Sequence, residues 1–123
     1  MLPTDSAARK RIPVVTGLLD YFPDALAAVA EVSFVGNEKH NPGQPLHWSR
    51  EKSADHADCI GRHLLERGTV DTVTHVRHTA QLAWRALALL QIEIENEHLK
   101  NHTNAARIVD NFKAKIDHDR NTA

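Results

Sequence analysis

The chain has 123 residues, of which 41% are hydrophobic and 25% are charged, the composition of an ordinary globular domain. A formal net charge of −1 and an aromatic content of 5% argue against binding to duplex or single-stranded nucleic acid. Cys59 is the only cysteine, which fits a reducing cytosol, and no stretch approaches the ~20 consecutive apolar residues of a membrane span.

The N-terminal part of the chain predicts a flexible segment followed by one helix. Residues 1–12 are small and polar, and we expect them to be flexible. Pro23 suits the first turn of a helix, and Asp24 is favourable at the positive end of the helix dipole. Gly36 predicts the end of this helix, and Asn41-Pro42-Gly43 is typical of a turn.

A second helix is predicted from a serine cap, Ser49 or Ser53, to about Arg67, with Gly68 ending it. Small or apolar residues recur within it at i, i+3, i+4 and i+7, which predicts a buried side. The glycine among them indicates close approach of a neighbouring helix. The residues of this side are Ala57, Ile60, Gly61 and Leu64.

A third, longer helix is predicted from about residues 69–71 to Lys100, followed by a polar C-terminal helix or tail over 101–123. The predicted core face of the third helix comprises Val76, Ala80, Ala83, Leu87, Leu90 and Ile94. Together these elements predict an all-α fold, a compact bundle of three to four helices, with its main domain over 13–100. The wide Ala/Leu face predicts a homo-oligomer, either a dimer or a tetramer.

The second helix carries a polar side with acidic and basic residues one turn apart. Asp55 and Asp58 are spaced so that a helix can present two carboxylates to Mg²⁺ or Mn²⁺, with Arg62 on the same side. The alternative is a surface pair between Asp58 and Arg62, worth only ~0.3 kcal/mol. Spacing by itself leaves both interpretations open.

The predicted third helix begins with a polar triplet. Asp71, His75 and His78 lie at i, i+4 and i+7, so that the carboxylate can orient His75 in one tautomer. A helix N-terminus also attracts phosphate or carboxylate groups. The alternative is that these are exposed polar residues of a first turn.

Two further segments suit ligand contact. Lys39 and His40 follow the predicted end of the first helix and are expected in a loop that reaches over a ligand. Trp48 lies in a predicted loop and is the better candidate for stacking on a base, whereas Trp84 is expected in a core or an interface.

These motifs taken together resemble a phage and bacterial family named for dATP/dGTP diphosphohydrolase, which is similar to the all-α MazG-like nucleotide pyrophosphohydrolases. The resemblance runs from about Arg11 to Glu93. It rests on Gly36-x-x-Lys39, Trp48, Asp58-x-x-x-Arg62-His63, Gly68 and His75-x-x-His78 before an Ala/Leu-rich helix. The resemblance implies metal-assisted hydrolysis of a purine deoxynucleoside triphosphate to the monophosphate and pyrophosphate.

The predicted site has three groups of residues. The catalytic candidates, which position water or act as general base, are His63, His75 and His78. The substrate-binding candidates are Asn37, Lys39, His40, Trp48 and Arg62. The candidate ligands for Mg²⁺ or Mn²⁺ are Glu38, Asp58 and Asp71.

Two alternatives to the enzyme stay open. His40 stands where the family usually has tyrosine, and Thr69 stands where it usually has glutamate, which favours weaker metal binding. A protein that binds and sequesters a nucleotide without cleaving it is therefore one alternative, and a structural helical interaction module is the other. In each case we expect a protein of the bacterial or phage-infected cytosol, without membrane or nucleic-acid partners.

Overall fold

The computed structural model describes residues 1–52 and 54–122. Along these residues four α-helices follow one another, α1 Ser6–Lys10, α2 Pro23–His40, α3 His56–Leu65 and α4 His78–Thr122. A π-helical turn at Val15–Leu19 precedes α2, and a 3-10 turn at Arg50–Lys52 precedes α3. Within the described residues the β-type pairing is limited to an isolated bridge between Val70 and Arg77. The predicted all-α fold is confirmed.

The N-terminal segment that we expected to be flexible contains α1. Asp5 caps this short helix, because its side chain accepts a hydrogen bond from the backbone N–H of Ala8 at 2.9 Å. Arg9 donates through its guanidinium to the carbonyl of Pro3 at 3.0 Å. Local hydrogen bonds of this kind give the segment its helical turn.

The first predicted helix is longer than its sequence indicated. It begins at the predicted proline, but it continues through Gly36 and ends at His40. Asn41 ends it because the residue before Pro42 is excluded from the helical region, and its φ of −136° and ψ of 57° are outside that region. Lys39 therefore lies in the last turn of α2, as does His40, and their prediction as loop residues is wrong.

The buried side of α3 is displaced by one residue from the predicted one. His56 and Cys59 are buried and His63 is half-buried, so a side with two imidazoles and a thiol faces the interior, while the polar side at Asp55, Asp58 and Arg62 remains exposed. Leu64 remains 50% exposed, and a Cβ built on Gly61 would meet no described atom within 4 Å. Ala57 is exposed and Ile60 half-buried. Ser53, predicted as one possible cap, lies outside the described residues.

The last helix begins later than predicted and ends later as well. Residues 69–77 form a turn instead of the first two turns of a helix, and α4 then continues from His78 to Thr122. The predicted third and fourth helices are thus one helix. The turn forms because the Asp71 carboxylate accepts two backbone N–H groups, which competes with a helical start.

The chain divides into two units, Met1–Ala86 and Leu87–Ala123. In the first unit Val76 and Ala80 are buried, as the predicted core face required, and Ala83 is half-buried. The described part of the second unit is the remainder of α4, and a lone helix cannot cover its own apolar side chains. Its exposed apolar residues are Leu87, Leu90, Ile94, Leu99, Ile108, Val109, Phe112 and Ile116.

Among the described residues, no single helix has the length and apolar character needed to cross a membrane. Two neighbouring segments, Ser6–Leu19 and Pro23–His40, have the length and composition of a membrane span only when they are taken together. The two segments are bent by 88° relative to each other.

Exchanging Gly68 for alanine should lower the free energy of unfolding by about 1–2 kcal/mol. Gly68 has a φ of +83°, a left-handed conformation that strains any residue with a Cβ. Gly36→Ala is the matched control, because neither glycine has a described atom within 4 Å of the built Cβ. In the interior of α2, alanine should raise stability by up to ~1 kcal/mol. Urea unfolding measures both, and shifts of the same sign would contradict this account.

Candidate functional site

Two histidines and one glutamate form a hydrogen-bonded chain where α3 ends and α4 begins. Nδ1 of His63 lies 3.0 Å from Nδ1 of His78, and Nε2 of His78 lies 2.9 Å from Oε2 of Glu66. The two imidazole rings are 5.2 Å apart between centroids and tilted by 35°. The sequence predicted both histidines as catalytic candidates and missed Glu66, although its spacing of three residues from His63 was a usable signal.

The turn between α3 and α4 determines where His78 lies. Its first bend uses Gly68 in the left-handed conformation. The Thr69 hydroxyl donates to the carbonyl of Glu66 at 2.6 Å, and the backbone N–H of His78 donates to the carbonyl of Thr69 at 3.1 Å. One side-chain and one backbone hydrogen bond within the turn therefore hold the first residue of α4 beside the last turn of α3.

Asp71 stabilises this turn and does not orient a histidine. Its Oδ1 accepts from the backbone N–H of Val73 at 2.8 Å and of Thr74 at 3.2 Å. These two hydrogen bonds hold the pKa of Asp71 below its ordinary value of 3.8. His75 lies inside the turn with a φ of +60° and is exposed. The predicted helical alignment of Asp71, His75 and His78 is wrong, because the first two residues precede the helix.

The surroundings of His63 disfavour its charged form. Burial lowers its pKa below the ordinary 6.5, and the nearby His78, Arg85 and Arg62 lower it further. Glu66 acts in the opposite direction without reversing the shift. A half-buried imidazole in its neutral form is able to accept a proton.

Arg62 contacts residues on the polar side of α3. Its Nη2 lies 3.4 Å from Oδ2 of Asp55 and 3.1 Å from Sγ of Cys59. Hydrogen bonding from Cys59, and then from Arg62, lowers the pKa of Asp55. Both ion-pair partners are more than half exposed, so water screens their attraction. The ion pair found here joins Arg62 to Asp55. The alternative given from the sequence was a pair between Arg62 and Asp58.

A buried histidine lies at the start of α3. Nη1 of Arg85 lies 3.2 Å from Nδ1 of His56, and a guanidinium can only donate, so Nδ1 accepts and Nε2 carries the proton. That Nε2 is buried without a hydrogen-bond partner in the described part of the chain. An unpaired buried donor costs ~1–3 kcal/mol, which a bound water would remove. The 29 residues between His56 and Arg85 explain why no local pattern predicted this contact.

The two tryptophans lie together. Their ring centroids are 5.7 Å apart in an edge-to-face arrangement, and Nε1 of Trp84 donates to Oγ of Ser33 at 2.7 Å. The guanidinium of Arg50 lies 4.2 Å from the ring centroid of Trp48. A flat cationic group thus already stacks on Trp48, the residue predicted to stack on a base.

The end of α2 supplies the remaining predicted substrate contacts. Asn37 is buried, and its amide donates to the carbonyl of Gln44 at 3.0 Å and accepts from the backbone N–H of His47 at 3.2 Å. This side chain therefore holds the loop that carries Trp48. Glu38, Lys39 and His40 are exposed on the last turn of the helix. Substrate binding by Asn37, Lys39 and His40 stays a prediction.

The predicted metal ligands do not assemble into one site within the described residues. Glu38 lies on α2, Asp58 on α3 and Asp71 in the turn that precedes α4. No group of three or more His, Cys, Asp or Glu side chains in this part of the chain is arranged to hold a cation. One oxygen of Asp71 is moreover occupied by two N–H groups. Binding of Mg²⁺ or Mn²⁺ stays a prediction.

A shallow, open groove adjoins the histidine chain. Its volume is about 620 Å³, and much of it is open to solvent. It is lined by Leu65, Glu66, Thr69, Val70, Asp71, Thr72 and His78. Two of these residues are acidic, so the groove attracts cations and repels an unaccompanied phosphate.

The chain is thus a small helical protein with a histidine pair beside an open groove. A family model described as dATP/dGTP diphosphohydrolase, N-terminal, matches residues 3–102. The chain belongs to this family, and the resemblance seen in the sequence is confirmed. The match includes every predicted site residue. No curated protein and no solved structure matches the chain.

Acidification should destabilise the fold through His63. Because the folded-state pKa is depressed, the unfolded chain binds the proton more readily. The contribution of His63 to stability is fully present above pH 6.5. It is lost as the pH falls below that value, until His63 is protonated in the folded state too. His63→Gln should reduce the slope of melting temperature against pH between about 7.5 and 5, whereas the exposed control His102→Gln should keep it. Equal slopes would contradict the depressed pKa.

Proposed function

We propose that this chain hydrolyses a purine deoxynucleoside triphosphate, dATP or dGTP, to the monophosphate and pyrophosphate. Family membership supports the substrate class. The observation that carries the proposal is the contact of 3.0 Å between His63 and His78, which provides a neutral imidazole in a supported position. A pair of this kind is suited to accept a proton from a water molecule.

The reaction needs one proton acceptor. The oxygen of water forms a bond to the α-phosphorus, and the bond from that phosphorus to the bridging oxygen of pyrophosphate breaks. Pyrophosphate leaves with the electron pair, and His63 accepts the proton that the water loses. A correctly placed general base contributes a rate factor of roughly 10²–10⁴.

Substrate contacts are proposed for the exposed cations. Arg62 is paired with Asp55 in a solvent-screened ion pair, which a phosphate oxygen can replace because phosphate carries more charge. Lys39 and His40 add positive charge at the end of α2, and Trp48 offers a ring on which the guanidinium of Arg50 now stacks. A purine ring is planar, as the guanidinium is, and can therefore stack on Trp48 in its place.

We propose that hydrolysis depends on a metal ion bound in the groove. Glu66 and Asp71 place two carboxylates on its wall, so a triphosphate needs a cation there to offset repulsion. Mg²⁺ or Mn²⁺ is the expected cation. Glu38 and Asp58, the other predicted ligands, lie on different elements from Asp71.

Nucleotide binding without hydrolysis is the second candidate. It is favoured by the engagement of Asp71 with two backbone N–H groups, which leaves this carboxylate less able to ligate a metal. A sequestering protein would use the cations and the tryptophan in the same way. It would not need His63 as a base.

We also propose that the chain functions as a dimer or tetramer of the cytosol. The apolar side of α3 is exposed at Leu64, and the second unit exposes a long row of apolar residues. Exposed apolar surface of this extent is typical of a protein–protein interface.

Hydrolysis is tested by incubating the chain with dATP or dGTP, with and without Mn²⁺, and separating the nucleotides by chromatography. We expect monophosphate in the presence of metal. His63→Gln should lower kcat by roughly 10²–10⁴-fold with little change in KM, while His102→Gln keeps the parent rate. Intact nucleotide together with a thermal shift would favour the sequestering protein. Absence of both product and shift would favour the structural module.

Assembly is tested by light scattering at micromolar concentration, where we expect the mass of a dimer or tetramer. Leu64→Arg should shift this mass towards the monomer, because a charge would be placed on the exposed apolar side of α3. Leu46→Arg is the matched control, since Leu46 is 68% exposed but lies in a loop. A monomeric parent would overturn the proposal of assembly.

A further inference from the structure

The hydrogen-bonded chain of Glu66, His78 and His63 has a direction. A carboxylate only accepts, so Nε2 of His78 donates to Glu66 across 2.9 Å. When His78 is neutral, its Nδ1 is therefore the unprotonated nitrogen. The proton between the two Nδ1 atoms, 3.0 Å apart, then belongs to His63. His63 is left with its lone pair on Nε2.

We propose that Glu66 and His78 are positioning residues that hold His63 in the Nδ1–H tautomer, so that Nε2 of His63 is the basic atom of the site. This inference deepens the proposed function, on which it rests, and it assigns a role to Glu66. An exposed histidine in water prefers the opposite tautomer, with the proton on Nε2. The hydrogen-bonded chain therefore selects the less favoured of the two neutral forms.

A proton can be passed along the hydrogen-bonded chain from His63 to His78. When Nε2 of His63 accepts a proton, the proton on its Nδ1 can pass to Nδ1 of His78. His63 is then neutral again with the proton on Nε2, and His78 is an imidazolium whose Nε2–H still donates to Glu66. One proton has been gained, and no covalent bond other than N–H bonds has changed. The positive charge lies next to the carboxylate, where it is stabilised.

The groups around the pair restrict it to one added proton. Arg62 and Arg85 both disfavour positive charge on His63, as does a protonated His78. Glu66 is the negative group on the other side, although its side chain is 62% exposed and partly screened by water. These charges therefore disfavour a second proton on the two histidines.

The proposal is tested by long-range ¹⁵N–¹H NMR spectra of the histidine rings in the full chain. In the parent we expect His63 protonated at Nδ1 and unprotonated at Nε2, and His78 protonated at Nε2. Glu66→Ala should return His63 to a mixture rich in the Nε2–H form. Glu66→Gln should retain the parent tautomers, because its amide oxygen still accepts. Glu31→Gln, an exposed glutamate of α2, should leave the tautomers unchanged as well.

Kinetics separate this proposal from the hydrolysis on which it rests. If the parent hydrolyses dATP or dGTP, Glu66→Ala should lower kcat by about 10- to 100-fold with KM retained, and Glu66→Gln should recover part of the loss. A parent spectrum with His63 in the Nε2–H form, or ring signals unchanged in Glu66→Ala, would overturn the proposal while leaving hydrolysis intact. The expected spectra from a parent without activity would support the hydrogen-bonded chain and overturn the hydrolysis.

Discussion

The candidate site depends on the hydrogen bonds that the Asp71 carboxylate accepts from the backbone of Val73 and Thr74. They hold residues 69–77 in a turn, so α4 cannot begin where its apolar periodicity begins. The first residue of the helix is then His78, carried back towards the end of α3 and within 3.0 Å of His63. A helical start at residue 71 would remove this return of the chain. The Asp71 carboxylate thus positions His78 through the backbone of the turn and not through a direct contact with the histidines.

The orientation of α3 has a cost in free energy. Its buried side carries His56 and Cys59, and the buried Nε2 of His56 has no partner in the described residues. Its apolar side, including Leu64, is exposed. A helix with polar groups inside gains little from the hydrophobic effect, so the hydrogen bonds of those groups must compensate.

Much of the fold was predictable from particular local signals. Pro23 marked the start of α2, and Gly68 marked the turn after α3, since both residues have restricted or unusual backbone conformations. The signals failed where two of them competed. Gly36 suggested a helix end, but the helix continued to the residue before Asn41, where a proline excluded further helical turns. For the site, His63 and His78 were predicted and then found in contact, whereas Glu66 was missed.

The sequence by itself determined the family, the all-α fold and the identity of the two histidines that meet, because these follow from local motifs and periodicity. Only the tertiary structure decided which side of α3 is buried and which groups are joined across the chain. The contacts of His56 with Arg85 and of Trp48 with Trp84 span 29 and 36 residues in the numbering, too far for a local pattern. Burial of a polar side can be favourable only once distant partners are present, and helical periodicity does not record those partners.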